Sequence, residues 1–130
     1  MIGIVVVTHG NIADEMIKAM EHIVGTQQQV AGVSMSTCDD MELKRQEIAD
    51  KVKETNSGDG VVIVTDMFGG TPSNLAISVM EQAPVEVIAG LNLPLLVKLT
   101  RERHKPLKEA VAEATEAGKK YINIASELLL

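Results

Sequence analysis

Within this 130-residue chain, His9, Asp66 and the run Gly69-Gly70-Thr71-Pro72-Ser73 have the types and spacing that suit chemistry. The run sits in Val64-Thr65-Asp66-Met67-Phe68-Gly69-Gly70-Thr71-Pro72-Ser73-Asn74, after a β-branched strand pattern from Gly60 to Thr65. A helical pattern, Leu75 to Met80, follows it. Gly69 and Gly70 free the backbone, Thr71 is placed to cap the helix, and Pro72 suits its first turn. A strand, a glycine loop and a helix start together aim N–H groups at one point, with the positive end of the helix dipole behind them. Such a point binds anions, most often phosphate. Asp66 stands at its lip and, being acidic, must act there in some other way than by binding the anion.

His9 supplies the complement. It ends a second buried-strand pattern, Ile2 to Val7, in the sequence Thr8-His9-Gly10. A neutral imidazole, with a reference pKa of about 6.5, is a nucleophile toward phosphorus at neutral pH. If Asp66 accepts a hydrogen bond from one ring nitrogen, the tautomer is fixed and the other nitrogen is left to attack. N–H groups around Gly69, Gly70, Thr71 and Ser73 then hold the oxygens of a transferring phosphoryl group. This chemistry needs no metal and no cofactor.

The elements that must hold these residues alternate along the chain. Strand patterns cover Ile2–Val7, Val30–Met35, Gly60–Thr65 and Val85–Ala89, and the tail Tyr121–Ala125 has the pattern of a final strand. A helix opens at Asn11 as its cap, carries Ile12, Met16, Ala19, Met20 and Ile23 as its apolar face, and ends at Gly25. A second runs from Met41 to about Thr55 with Leu43, Ile48 and Val52 inward, after the polar loop and cap Ser36 to Asp40. Ala83-Pro84 breaks the chain before the fourth strand. Asn92 opens a helix through Leu99, and Lys105-Pro106 opens another that ends at Gly118. The expected fold is α/β: a single domain, 1–130, with a doubly wound, mostly parallel sheet of order 2-1-3-4 and helices on both faces. In that order the strand sequence reverses between the first and third strands, which is where ligands bind. His9 ends one of these strands and Asp66 the other.

Composition narrows the class. A net charge of −6 and a pI near 5.0 speak against nucleic acid as a partner. The single Cys38 rules out an internal disulfide and fits a reducing compartment. No apolar run approaches the roughly 18 residues of a membrane helix, and no basic leader precedes the first strand, so a cytoplasmic protein is expected. Aromatic residues are only 2% of the chain, so the core is aliphatic and Met-rich, with Met16, Met20, Met35 and Met80 inside. A lone histidine is more often structural than catalytic, and His22 and His104 are read so. The basic stretch Lys98 to Lys105 is read as a solvated face that satisfies a helix end. Cys38 is read as an incidental thiol. Met67 and Phe68, if exposed, form an apolar docking rim.

Rival classes lack their residues. A receiver domain needs acidic side chains after the first strand to hold Mg²⁺, where this chain has Thr8-His9-Gly10. A hydrolase built on Ser73 or Thr71 lacks G-x-S-x-G. A nucleotide or flavin module lacks G-x-x-x-x-G-K-[ST] and aromatic side chains to stack on a ring.

Thr8-His9-Gly10 together with Asp66 to Asn74 resembles the EIIA domain of the mannose family of the bacterial sugar phosphotransferase system, over essentially the whole chain. The resemblance implies a phosphotransferase working through a phosphohistidine. His9 takes a phosphoryl group from the phosphocarrier HPr on Nε2 and passes it to a EIIB component, with Asp66 as partner and membrane EIIC and EIID components downstream. It also implies a homodimer in which the last strand, at Tyr121–Ala125, is exchanged, which would cover the tail Leu128-Leu129-Leu130. Many members carry a EIIB domain on the same chain; this sequence stops after the EIIA pattern, and a separate EIIB protein is expected. The alternatives are a regulatory phosphoryl end-acceptor and the EIIA-like subunit of a dihydroxyacetone kinase system; the Gly-Gly-Thr-Pro-Ser-Asn run favours the mannose group.

Overall fold

The computed structural model describes residues 1–82 and 84–129, so the expectations at Ala83 and Leu130 lie outside the described residues. The chain runs β1 (Gly3–His9), α1 (Ile12–Val24), β2 (Val30–Met35), α2 (Met41–Thr55), β3 (Val61–Thr65), α3 (Thr71–Ser78), a 3₁₀ turn (Met80–Gln82) and β4 (Val85–Ala89). It then continues as α4 (Leu93–Arg101), α5 (Leu107–Lys120) and α6 (Ala125–Leu128). The four strands form one parallel sheet in the order β2-β1-β3-β4. Both central strands are buried on both sides, as parallel strands under helices must be.

Alternation along β1 divides the core into two. Ile4 and Val6 point to the face covered by α1, α4 and α5, where Met20, Leu95, Leu96, Leu99, Ala110 and Ala114 meet them. Val5 and Val7 point to the face covered by α2 and α3, against Ile48, Val52 and Ala76. Each fully buried Val, Ile or Leu contributes roughly 1.5–3 kcal/mol, so these two layers hold the fold and polar contacts refine it.

Several local expectations change. The inward stripe of α1 is Ala13, Met16, Ile17, Met20 and Val24, while Ile12 and Ile23 stay 45% and 52% exposed. Two small residues turn the helix this way. A Cβ on Gly32 of β2 would sit 2.7 Å from Asp14 Oδ1, 3.2 Å from Ile17 Cδ1 and 3.5 Å from the Ala13 Cβ, so glycine lets α1 lie close to the strand. Asn11 occupies the cap position without a side-chain bond; buried Thr8 Oγ1 instead accepts from the Ala13 N–H at 2.7 Å. Leu43, in the first turn of α2, is 71% exposed. Asp40 caps α2 and Asn92 caps α4, as expected.

The expected fifth strand is absent among the described residues. Residues 121–124 are irregular and α6 follows. The segment satisfies itself locally, with the Ile122 N–H donating to Lys119 O and the Glu127 N–H to Ile124 O, rather than pairing with a sheet edge. Tyr121, Ile122, Ile124, Leu128 and Leu129 are all exposed in consequence.

The basic stretch is not merely a solvated face. Arg103 is only 3% exposed, and burial alone pulls its guanidinium below its usual value, though it remains a cation. Its Nε donates to Ile2 O at 2.7 Å, one terminal nitrogen to Gln29 O at 3.0 Å and the other to Gln27 Oε1 at 3.3 Å. Its own carbonyl accepts from the Ile2 N–H at 2.9 Å. Neighbouring Glu102 is held by Lys105 and Lys98, which bring its carboxyl down to about 2. Arg103 thus ties the entry of β1, the α1–β2 loop and the α4–α5 turn at the edge opposite His9. Arg103→Met keeps the apolar stem and removes the donors. It is expected to lower stability by about 2–3 kcal/mol in urea unfolding, while a loss under about 0.5 kcal/mol would show the contacts to be incidental.

Candidate functional site

The strand order reverses between β1 and β3, whose register pairs Val7 with Thr65, and the next residues along each strand carry the site. His9 and Asp66 meet there directly. The His9 backbone N–H donates to Asp66 Oδ2 at 2.9 Å, and His9 Nδ1 lies 2.8 Å from the same oxygen. An ionised carboxylate only accepts, so Nδ1 carries a proton, and in the neutral ring Nε2 keeps its lone pair. The other oxygen, Asp66 Oδ1, accepts from the Met67 N–H at 2.9 Å. Partial burial pushes the Asp66 carboxyl up, but the bonds from the His9 N–H, the His9 ring and the Met67 N–H outweigh it and hold the group below its ordinary value. The His9 side chain is 52% exposed, that of Asp66 15%. A reachable ring is therefore held by a sheltered carboxylate.

The glycine loop lies beside this pair. Its backbone turns at Gly69, with φ +88°, where only glycine is unstrained. Gly70, not Thr71, is the cap residue of α3; Thr71 opens the helix and Pro72 follows in its first turn. Ser73 is fully buried, and its hydroxyl accepts from the Gly69 N–H at 3.0 Å and donates to Gly70 O at 3.1 Å. The Ser73 side chain and the Gly69 N–H are thus spent on the shape of the loop. The N–H groups of Thr71 and Ser73 are first-turn donors with no acceptor inside the helix, and Pro72 has none to offer. Gly70 brings this turn against the imidazole, since a Cβ there would stand 3.1 Å from His9 Cε1.

A cleft of about 720 Å³ opens from His9, bounded by Gly10, Met35, Ser36, Thr37, Asp39, Met41, Thr71 and Pro72. The β2–α2 loop forms its far wall. There the Ser36 N–H bonds Asp39 Oδ2 at 2.6 Å, which, with Lys44 nearby, holds that carboxyl below its ordinary value. Sequence reading missed this wall and Thr8, whose signal was a polar residue ending an apolar strand. Met67 and Phe68, in the loop after β3, are 57% and 76% exposed and are not among the residues that wall the cleft. Cys38 is exposed and is not one of the residues that wall the cleft. His22 and His104 are exposed on other elements. A smaller hollow of about 380 Å³ between α4 and α5, lined by Lys98, Glu113, Glu116 and Lys120, shares no residue with the site. Among the described residues, no three His, Cys, Asp or Glu side chains are grouped to hold a metal ion, and no helix is long and apolar enough to cross a membrane.

A parallel sheet with an oriented histidine at its switch point and a helix start beside it is an arrangement suited to phosphoryl transfer, and comparison with known proteins gives the family. Residues 3–116 match the family model EIIA-man, described as the PTS system fructose IIA component, and the chain belongs to that family. The chain is 31% identical over 124 residues to the PTS system mannose-specific EIIAB component of Escherichia coli (strain K12), covering 93% of this chain. It spans about 38% of that relative's length. The solved phosphotransferase system component EIIA from Streptococcus agalactiae superposes with a TM-score of 0.87 at 26% identity, over 98% of this chain and 99% of that one. The mannose/sorbose specific IIA subunit from Enterococcus faecalis does so with a TM-score of 0.85 at 28% identity, over 95% and 93%. The family role is that of a phosphocarrier, a phosphotransferase component of a sugar phosphotransferase system.

The lowered Asp66 carboxyl links the site to stability. Because the folded value lies below the unfolded one, near 3.8, its contribution is complete above that pH and is lost as pH falls through the folded value. The stability difference between wild type and Asp66→Asn is therefore expected to shrink as pH drops below about 4 in chemical unfolding series. A difference independent of pH would remove the ionised contact.

Proposed function

We propose that His9 accepts a phosphoryl group on Nε2 from phosphorylated HPr and passes it to a EIIB component, which serves membrane EIIC and EIID components of a mannose-family system. The observation that carries the reading is the 2.8 Å contact between His9 Nδ1 and Asp66 Oδ2. It leaves Nε2 as the basic atom of the ring, facing a cleft and a helix start. The Nε2 lone pair attacks phosphorus while the bond from phosphorus to the donor atom breaks, and that electron pair departs with the donor. Asp66 keeps the Nδ1 proton in place and balances the positive charge the ring acquires. Backbone N–H groups of Thr71 and Ser73, with the α3 dipole behind them, take the phosphoryl oxygens. Met67 and Phe68 border the docking partner.

Incubation with phosphoenolpyruvate, the first enzyme of the system and HPr is expected to add one acid-labile, alkali-stable phosphoryl group to the wild type and none to His9→Ala. Label retained in His9→Ala overturns the proposal. Asp66→Asn, which keeps the shape and loses the orienting charge, is expected to slow transfer roughly 10²–10³-fold.

The exposed apolar segment from Tyr121 to Leu129 supports exchange of the last segment between two subunits. The intact chain should sediment as a dimer, and a chain ending at Lys120 as a monomer. A monodisperse monomer of the intact chain at micromolar concentration contradicts exchange.

A further inference from the structure

Gly69 and Gly70 adjoin, yet they are glycine for opposite reasons. Gly69 has φ +88°, which side chains avoid, and a Cβ there would meet nothing within 4 Å. Gly70 has φ −88° and ψ 171°, extended backbone open to any residue. A Cβ on Gly70, however, would stand 3.1 Å from His9 Cε1, 3.6 Å from His9 Nε2 and 3.7 Å from Met67 Cγ. Backbone conformation thus accounts for the first glycine and not for the second. What the second provides is space beside the ring.

Resting on the reading of Nε2 as the nucleophile, we infer that Gly70 is a positioning residue for phosphoryl transfer, whose missing side chain seats the imidazole and keeps the approach to Nε2 open. The ring is held at two places. Asp66 Oδ2 fixes Nδ1 at 2.8 Å, and the Gly70 backbone backs Cε1, the atom between the two nitrogens. Carbon atoms prefer about 3.5–4.0 Å, so a Cβ at 3.1 Å forces the ring or the loop to give by a few tenths of an ångström. With Nδ1 tethered, the ring yields by pivoting, and a pivot about Nδ1 displaces Nε2. Attack also needs phosphorus within about 3–3.5 Å of Nε2 along its lone pair. A side chain 3.6 Å from Nε2 competes with the phosphoryl oxygens for the same volume. Gly70 lies in the same turn as the Thr71 and Ser73 N–H groups, so any shift of the ring also changes its aim at them.

A purely structural glycine would behave otherwise. If Gly70 served only the helix start, Ser, a better cap, would raise stability and leave the chemistry alone.

The test measures melting temperature and single-turnover phosphorylation of His9 in wild type, Gly70→Ala, Gly70→Ser and Gly70→Val, with phosphorylated HPr and with phosphoramidate as donors. Phosphoramidate has no docking surface, so it reads ring and phosphoryl placement alone. Gly70→Ala and Gly70→Ser should keep or raise the melting temperature while transfer from both donors falls about 10–10²-fold. The loss should fall on the limiting rate at saturating donor rather than on the half-saturating donor concentration, and Gly70→Val should lose more. Wild-type rates in Gly70→Ala, or a loss with phosphorylated HPr but not with phosphoramidate, would overturn the inference while leaving His9 as acceptor. A wild type that neither donor labels on His9 would overturn the reading beneath it.

Discussion

One oxygen, Asp66 Oδ2, organises the ligand edge of this protein. It accepts from both the backbone N–H and the ring Nδ1 of His9, while its partner oxygen accepts from the Met67 N–H. The carboxylate therefore fixes three things together: the end of β1, the rotation of the imidazole, and the first turn of the loop that leads to α3. Two bonds from one residue to one atom leave the ring little freedom about either side-chain torsion. Which nitrogen keeps its lone pair is chosen by this contact, because whichever nitrogen faces the carboxylate carries the proton.

That contact exists because β1 and β3 are adjacent and parallel although 51 residues separate His9 from the start of β3 at Val61. The adjacency comes from the two apolar layers, where Val5 and Val7 pack to one side and Ile4 and Val6 to the other. At the opposite edge, Arg103 closes the strand entries by donating to Ile2 and Gln29 carbonyls. The sheet is thus stapled at one end and left open at the other, with polar and exposed groups gathered where the strands finish. A half-exposed imidazole on such a base can be reached from outside without the fold having to move.

Much of this was legible in residues. The β-branched runs and their breakers located all four strands, and β2, α2 and β4 fall at the residues expected. Alternation of strand and helix implied a parallel sheet, and the common doubly wound order, beginning 2-1-3, then placed His9 beside Asp66. What was not legible depends on three-dimensional closure. Ile17 joins the α1 stripe and Ile12 does not because α1 packs close over Gly32, whose missing side chain leaves room for Asp14 and Ile17, a fact about β2 rather than α1. Arg103 is buried because acceptors 101 and 74 residues away converge on it, which no local charge pattern announces. Tyr121 to Ala125 has strand composition, yet pattern alone does not supply the edge a strand must pair with. The two glycines look identical in sequence, and only the distance from Gly70 to the His9 ring separates their roles.

The central claim is that Asp66 fixes the His9 tautomer so that Nε2 is the atom that reacts. Nitrogen-15 correlation spectra of the imidazole at neutral pH, recorded before and after phosphorylation, test it most directly. The account predicts a protonated Nδ1 and a bare Nε2 in the free protein, with phosphorus coupled to Nε2 once the phosphoryl group is in place. A proton on Nε2 in the free protein, or phosphorus coupled to Nδ1, would contradict it.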